Sequence, residues 1–342
     1  MTPALNRFGP LAVTAAVLLT ACGGAAAPAS TAPSAVASSP APSTGKPSAP
    51  AASKPALQNL TVAVPAQSLS HFPLVVGKET GIFARHGINI TIQQIKTDAA
   101  IAANISGEVP YSTPAGSLIR AIAQGAPLRL VVTIMDKSNH LMVVNPKTVP
   151  TGKDLAGKRV AINALADNTQ YETEAVLEHF GIDKKNVSYV VVPDEGPKLA
   201  ALVGGSVDGA IMSLPFKSEE AGFKVLSSLT GLLELPTSIL ATSNQMIANR
   251  PADVQNMVDA TIESMRYTKA HKAETLPIIA KTFDLNPAQS ERAYDISKDA
   301  WSDTGILSPT AFQNVIQPLN LNPPPALDKA WDPQFVAKAK AG

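Results

Sequence analysis

The sequence predicts an α/β fold with two lobes, each a mostly parallel sheet flanked by helices. Segments with strand-like alternation and segments with helical spacing follow one another from Leu60 onward. The order strand, polar loop, helix occurs before residue 140 and again after residue 159. Strands that alternate with helices favour parallel βαβ units, and two such series favour two lobes.

The first 21 residues are typical of a signal peptide. Arg7 is the only charged residue before Lys46, and an apolar run over residues 8–19 follows it. That run is too short to span a bilayer and suits a signal-peptide core. It ends in the letters LTAC at positions 19–22, which resemble the bacterial lipobox. We expect cleavage before Cys22 and acylation of its thiol; a plain secretory signal with a chance cysteine is the alternative.

Composition narrows the class of protein. Cys22 is the only cysteine, so we expect no internal disulfide and a fold stabilised by its packed core. The 28 Lys and Arg residues nearly match the 27 Asp and Glu residues, and removal of Arg7 would make them equal. A neutral chain argues against nucleic-acid binding and against a broad electrostatic grip on lipid. Membrane attachment would then depend on acyl chains.

Residues 22–56 are predicted to be a lipidated cysteine followed by a disordered tether. Positions 23–56 are almost wholly Ala, Pro, Ser, Gly and Thr, without apolar periodicity. Such a segment cannot bury enough surface to offset its ordering entropy, and its prolines favour extended conformers.

The first series of elements begins at residue 60. Glycines at 81 and 87 fit helix ends, and the alternation over 88–92 fits a strand. Thr113 and Pro114 predict a helix start, with a capping hydroxyl and a first-turn proline. The predicted strands are 60–64, 88–92, 109–112 and 128–134, and the predicted helices are 72–80, 82–86, one from 98 to about 107, and one from 113.

The second series is followed by a helical tail. Its predicted strands are 159–162, 187–192 and 209–212, its helices are 169–180 and 198–203, and the tail helices are 252–272, 275–283, 287–298 and 309–316. We expect the tail to rejoin the first lobe, so that segments 140–145 and 238–242 form two hinge crossovers. The first lobe would comprise 57–141 and 239–342, and the second 142–238.

Polar loops follow the predicted strands. Ligands of open α/β sheets bind beyond the carboxyl ends of the strands. Here these ends are the loops 65–72, 112–113, 163–169 and 213–215. The sequence therefore predicts a cleft between two lobes, lined by four polar loops.

Three spaced blocks carry a family resemblance. They are FPLVVGKETGIF at 72–83 with HGI at 86–88, GKDLAGKRVAI at 152–162, and residues 202–210 with Gly205, Val207 and Asp208. Together they resemble the nitrate/sulfonate/taurine-type solute-binding proteins of ABC importers, whose superfamily includes the thiamine-pyrimidine precursor proteins. The resemblance implies a type II periplasmic-binding-protein fold. It also implies delivery of a solute to a permease and its ATPase.

The resemblance implies that ligand groups lie on the strand-end loops. Carried over to this sequence, the ligand-binding residues are Ser68, Ser70, His71, Phe72, Ser112, Thr113, Ser138, Asn139, Asp167, Asn168, Thr169 and Ser213. Helix N-termini at these loops favour anionic or carbonyl groups, but helix capping is the alternative role for Ser112, Thr113 and Thr169.

The chemistry of these loops predicts the kind of solute. None of them contains arginine or lysine, so a clamp for a sulfonate or carboxylate is missing. Asp167 could accept a hydrogen bond from an amine or hydroxyl, and His71 with Phe72 would suit a planar ring. We expect a neutral, aromatic or weakly charged organic solute.

Catalysis is not expected. The pyrimidine-synthase relatives have a cysteine-rich iron-binding motif, whereas this chain has no cysteine after residue 22. The five histidines lack zinc-site spacing, so we expect no metal and no cofactor. We expect a monomer, lipid-anchored on the extracytoplasmic side of the cell envelope, which is the periplasm in a Gram-negative cell. A ligand-sensing receptor for a membrane signalling protein is the alternative, and an enzyme on the same fold is the least favoured.

Overall fold

A computed structural model describes residues 57–165, 167–213 and 216–339. The predicted signal peptide, Cys22 and the tether lie outside these residues. Within the described residues, every helix is too short or too polar to cross a bilayer.

The strands form two five-stranded sheets. The first has the order β2-β1-β3-β10-β4 and the second the order β7-β6-β8-β5-β9. The strands are β1 (Gln58–Val64), β2 (Ile88–Gln94), β3 (Tyr111–Pro114), β4 (Leu128–Met135), β5 (Leu141–Val144), β6 (Arg159–Ile162), β7 (Ser188–Val191), β8 (Gly209–Met212), β9 (Lys224–Ser228) and β10 (Ser238–Ser243).

The predicted α/β fold with two sheets is confirmed, but the sheets are mixed. In each sheet two strand pairings are parallel and two are antiparallel. The antiparallel pairings all involve β5 or β10, the strands by which the chain enters one sheet from the other. Each of these two strands begins at the edge where its neighbouring strands end, so it runs antiparallel to them.

The chain passes twice between the sheets. The connections are residues 136–140, between β4 and β5, and residues 229–237, between β9 and β10. The predicted crossovers, 140–145 and 238–242, are therefore wrong in position, because those segments are mostly strands paired within a sheet. Both are apolar and strand-like, and pairing inside a sheet satisfies their backbone groups. The lobe boundaries at 141 and 239 stay a prediction.

Helices cover both sheets. They are α1 (Phe72–Glu79), α2 (Ile82–Arg85), α3 (Thr97–Ser106), α4 (Ala115–Ala123), α5 (Asn168–His179), α6 (Glu195–Val203), α7 (Phe216–Glu220), α8 (Asn244–Asn249), α9 (Pro251–Ala270), α10 (Lys272–Phe283), α11 (Pro287–Ser297), α12 (Pro309–Ile316), α13 (Leu327–Ala330) and α14 (Gln334–Lys338).

The main local correction concerns the start of α4. Strand β3 continues through Pro114, and α4 begins at Ala115, so Thr113 caps no helix. The register of β3 explains the shift, since Pro114 lies opposite Ser238 of β10. Strand β9 and helix α7 were not predicted.

The core consists of several buried apolar clusters that include residues of both sheets. Val62 and Val132 of the first sheet pack in one buried cluster with Val258 and Met265 of α9. The helical tail therefore returns to the first sheet. In the second sheet, Val160 of β6 and Ile211 of β8 pack with Val176 and Leu177 of α5, among others. The two cores hold their strand ends in place for the site.

Candidate functional site

The strand ends of the two sheets border the same two connections. In the first sheet, β3 ends at Pro114 and β4 ends at Met135, both opposite Ser238. In the second sheet, β8 ends at Met212, opposite Leu141 at the start of β5. Residues 136–140 and 229–237 join these edges. The parallel strands therefore point toward the connections, which is where the sequence predicts a cleft.

A histidine and a glutamate pair at this edge. His140, in the first connection, places Nδ1 2.8 Å from Oε2 of Glu172 on α5, and Glu172 is fully buried. Burial lowers the pKa of His140, but the charge and hydrogen bond of Glu172 outweigh burial and leave that pKa above its ordinary value. The carboxylate therefore favours the imidazolium form.

A buried lysine lies beside this pair. Lys198 of α6 is 1% exposed, and its Nζ donates to Asn163 Oδ1 at 2.6 Å and to the Ile211 carbonyl at 2.7 Å. Burial lowers the pKa of Lys198, against the opposing charges of Glu195 and Asp167. A basic residue therefore lies at the strand ends, although none of the predicted loops contains one. Lys198 reaches the edge from a helix, although two of its protons already go to protein oxygens.

The loop before α5 is held by its own side chains. Thr169 Oγ1 accepts from the Asn163 N–H at 2.7 Å and donates to Asp167 Oδ1 at 2.7 Å. Asp167 Oδ1 also accepts from the Gln170 N–H at 3.2 Å, so Asp167 rather than Thr169 caps the helix. Burial is the main cause that raises the pKa of Asp167.

Ser213 follows β8 and meets an acidic residue. Its N–H and its hydroxyl donate to Glu195 Oε1 at 3.0 and 3.3 Å. Glu195 lies in the first turn of α6, where a carboxylate is favoured by the helix dipole. We call His140, Glu172, Lys198, Glu195 and Asp167 the ionic cluster.

Residues of the two connections form hydrogen bonds within a connection and with neighbouring helices. Ser138 and Asn139 are fully buried; Ser138 Oγ accepts from the His140 N–H at 3.0 Å, and Asn139 Nδ2 donates to Ser297 Oγ at 3.1 Å. Asn168 Nδ2 donates to the Pro236 carbonyl at 2.9 Å.

The first predicted loop borders a cavity. Ser68, His71 and Phe72 help line a space of about 400 Å³ beyond the ends of β1 and β2. Burial lowers the pKa of His71 to about 4, so the imidazole is neutral at pH 7. The Phe72 ring is fully buried and lies 5.7 Å from the ring of Phe283. Lys78, Glu79 and Gln94 also line this space, so its walls combine aromatic, polar and charged groups.

Other predicted residues are engaged inside the protein. Ser70 donates its N–H to Ser68 Oγ at 3.1 Å. Ser112 Oγ donates to Asn104 Oδ1 at 3.1 Å, and Thr113 Oγ1 donates to the Ala63 carbonyl at 3.4 Å. Ser112 and Thr113 are buried in β3 and neither caps a helix. Their contact with a ligand stays a prediction, as it does for all the predicted residues.

Buried oxygen atoms without partners mark the edge. Among the described residues, four acceptor atoms there have no hydrogen-bond partner, namely Asn139 Oδ1, Asn168 Oδ1, Glu172 Oε1 and Glu195 Oε2. The buried hydroxyl oxygens of Thr237 and Ser238 also have no hydrogen-bond partner among the described residues. Buried polar atoms are costly to leave unpaired, so such a group has capacity for a bound polar molecule.

Sequence reasoning missed the ionic cluster apart from Asp167. Glu172, Lys198 and Glu195 lie on helices, where charged residues usually face solvent. His140 directly follows the predicted Ser138 and Asn139, which was the one local signal. Within the described residues, no group of three or more His, Cys, Asp and Glu side chains could hold a metal ion.

The two sheets and the polar edge between them define the class of a two-lobed binding-protein fold. The chain belongs to the NMT1/THI5 like family, whose sequence model matches residues 68–275. It is 25% identical over 246 residues to the taurine-binding periplasmic protein of Escherichia coli K12. The aligned region covers 71% of this chain and 68% of that protein.

Solved structures share this fold at lower identity. The ligand-binding component of an ABC-type import system from Staphylococcus aureus matches with a TM-score of 0.66 and 15% identity, over 83% of this chain and 100% of that one. The alkanesulfonate-binding protein SsuA from Xanthomonas axonopodis pv. citri matches with a TM-score of 0.61 and 19% identity, over 78% and 91%. The desulfurization enzyme DszB also matches, with a TM-score of 0.60 and 18% identity, over 82% and 98%. The fold thus hosts both binding proteins and an enzyme.

Proposed function

We propose that this protein is an extracytoplasmic solute-binding lipoprotein of an ABC importer. It binds one small organic molecule between the two sheet edges and delivers it to a permease and its ATPase. The observation that carries this proposal is the group of buried oxygen atoms without partners at those edges. Family membership supports it, as do relatives described as taurine-binding or as a component of an import system.

The anchor and location belong to the same proposal. The letters LTAC at 19–22 support acylation of Cys22, and the Ala, Pro and Ser tether would hold the folded part away from the membrane. The protein would act as a monomer in the cell envelope, with no cofactor and no turnover. The predicted ligand-binding residues are part of this proposal.

Thermal-shift screening tests the binding role. The chain from residue 22 onward, carrying Cys22→Ser, is screened against amino-acid derivatives, aromatic acids, sulfonates and pyrimidines, and hits are titrated by calorimetry. We expect one class of compound to raise Tm and to bind one molecule per chain, without being consumed in the presence of the protein. Consumption of a hit would support an enzyme instead, and the absence of any hit would contradict solute binding.

A further inference from the structure

The cavity beside the first loop lies apart from the ionic cluster. It is a single space of about 400 Å³, bounded by the first loop, α1, the end of β2 and the end of α10. Every described residue that lines it belongs to 64–94 or to 282–283. The second sheet and its helices therefore form none of the described walls, and a molecule in this cavity would contact the first sheet and its helices alone.

One part of the cavity wall is apolar. Val64 and Phe72 are buried there, and Val75 and Ile92 are half-buried. The rings of Phe72 and Phe283 lie 5.7 Å apart and are inclined by 44° to each other. Tilted ring pairs at this distance favour a further ring packed against them, so this wall suits a planar apolar group.

Two hydrogen bonds hold the cavity walls in place. Gln67 Nε2 donates to the Thr282 carbonyl at 2.6 Å, which joins the first loop to α10. Trp301 Nε1 donates to the Leu69 carbonyl at 2.9 Å and fixes the same loop from the other side. A cavity whose walls are already held costs less ordering entropy when a molecule binds.

A buried imidazole lines the cavity without a partner. His71 is 4% exposed, and its ring forms no hydrogen bond with any residue that the structure describes. Burial lowers the pKa of His71 to about 4, so at pH 7 the ring has one N–H donor and one nitrogen acceptor. A buried polar group without a partner is costly, and a molecule in the cavity can supply the missing hydrogen bond.

The charged residues of the cavity lie in contact with solvent. Lys78 and Glu79 are exposed and opposite in sign, and Lys281 Nζ lies 3.7 Å from Glu79 Oε2. Solvent screens such charges, so they favour neither an anion nor a cation strongly. A charged group placed against Phe72 and the neutral His71 ring would instead lose hydration without an ionic partner.

We propose that this cavity is a second binding site, which takes a small neutral aromatic molecule whose polar group forms a hydrogen bond with the His71 ring. The ring of that molecule packs against Phe72 and Phe283. The site is separate from the solute site proposed between the two sheet edges, and its occupation does not depend on that function.

Four compounds of similar size test the chemical class of the ligand. The Cys22→Ser chain from residue 22 is titrated with benzamide, toluene, benzoate and benzylamine, and binding is followed by ligand-observed NMR. Benzamide has a donor and an acceptor, toluene has neither, and the other two are charged. We expect the Kd of benzamide to be lower than each of the others by about fivefold or more, the contribution of one hydrogen bond. Equal or tighter binding of any of the other three, or no binding of benzamide, overturns the assignment.

A variant that fills the cavity tests where benzamide binds. Val75→Trp places an indole in the space, so we expect benzamide binding to be lost while Tm shows that the variant is folded. Val203→Trp is the matched control, at a side chain that is 64% exposed on α6, and should leave the Kd unchanged. If Val75→Trp does not fold, Ile92→Trp on the edge strand β2 fills the same cavity. Retained binding in a folded filled variant overturns the site.

The hydrogen bond of His71 has its own test. His71→Phe keeps a ring in place and removes both hydrogen-bonding atoms. We expect the Kd of benzamide to rise about fivefold or more and the Kd of toluene to stay unchanged, because only benzamide uses the imidazole. A collapse of the cavity would weaken both compounds alike. An unchanged Kd of benzamide, or an equal loss for the two compounds, overturns the role of His71.

Discussion

Gly116 of α4 lies directly against Asn168 of α5. A Cβ atom at position 116 would be 2.2 Å from Asn168 Oδ1, which is closer than a Cβ atom approaches a non-bonded atom in a folded protein. Helix α4 follows a strand of the first sheet, and α5 follows a strand of the second. The absence of a side chain at Gly116 therefore leaves the space that Asn168 Oδ1 occupies.

We expect Gly116→Ala to weaken solute binding at least tenfold, because the added methyl group displaces the Asn168 side chain at the sheet edge. The free energy of unfolding should change little, since alanine favours a helix over glycine. Calorimetry with the solute found by screening measures the Kd. Gly196→Ala is the matched control, because a Cβ atom there meets nothing within 4 Å. An unchanged Kd in Gly116→Ala would mean that the position of the Asn168 side chain does not affect solute binding.

Trp301 joins the first loop to the helical tail. Its Nε1 donates to the Leu69 carbonyl at 2.9 Å, and its ring lies 6.4 Å from that of Phe72 and 5.7 Å from that of Tyr294. We expect Trp301→Ala to lower the free energy of unfolding by about 3–5 kcal/mol.

Trp301→Phe keeps an aromatic ring and loses the donor, so its loss should be smaller, about 1–3 kcal/mol. Urea unfolding monitored by circular dichroism measures both. The control Val203→Ala, at a side chain that is 64% exposed, should change stability by less than about 0.5 kcal/mol. Equal losses in the Phe and Ala variants would show that the hydrogen bond, and not the packing, dominates.

The burial of His71 predicts that the folded protein loses stability in acid. Burial lowers its pKa from 6.5 to about 4 in the folded state, so the unfolded chain binds a proton first as the pH falls. The contribution of His71 to the free energy of unfolding is complete above pH 6.5 and is lost as the pH falls toward 4. The full difference is about 3 kcal/mol.

Urea unfolding at several pH values between 7 and 4 measures this contribution. We expect His71→Asn to show a shallower decline than the parent chain across that window. His179→Asn, at an exposed position, should retain the parent slope. If the His71 variant declines as steeply as the parent, the imidazole is not the group responsible.

Cys22 predicts attachment to membrane. In cells that process lipoproteins, the parent chain should incorporate labelled palmitate and partition into detergent, whereas Cys22→Ser should do neither, because the acyl chains supply the attachment. Ser30→Ala, in the same segment, is the control and should behave as the parent. Detergent partition of Cys22→Ser would rule out the lipid as the anchor.

The elements were predictable where local pattern decides them. Strands β6 and β8 and helix α12 begin and end at the predicted residues. The start of α4 was not, because the pairing of β3 with β10 overrides the helix signal of Thr113 and Pro114. The predicted positions of the two connections were wrong for the same reason. The segments 140–145 and 238–242 resemble linking strands, but most of their residues pair within a sheet.

The sequence by itself determined the signal-peptide and lipobox pattern, the disulfide-free composition, the α/β alternation and the polar loops at the strand ends. These depend on neighbouring residues, whose periodicity is written in the chain. Only the tertiary structure decided that His140 meets Glu172, that Lys198 is buried at the strand ends and that Gly116 meets Asn168. Each of these contacts joins separate elements, and its geometry follows from how the helices pack on the two sheets. That packing placed an ionic cluster and buried acceptor atoms without partners at the strand ends.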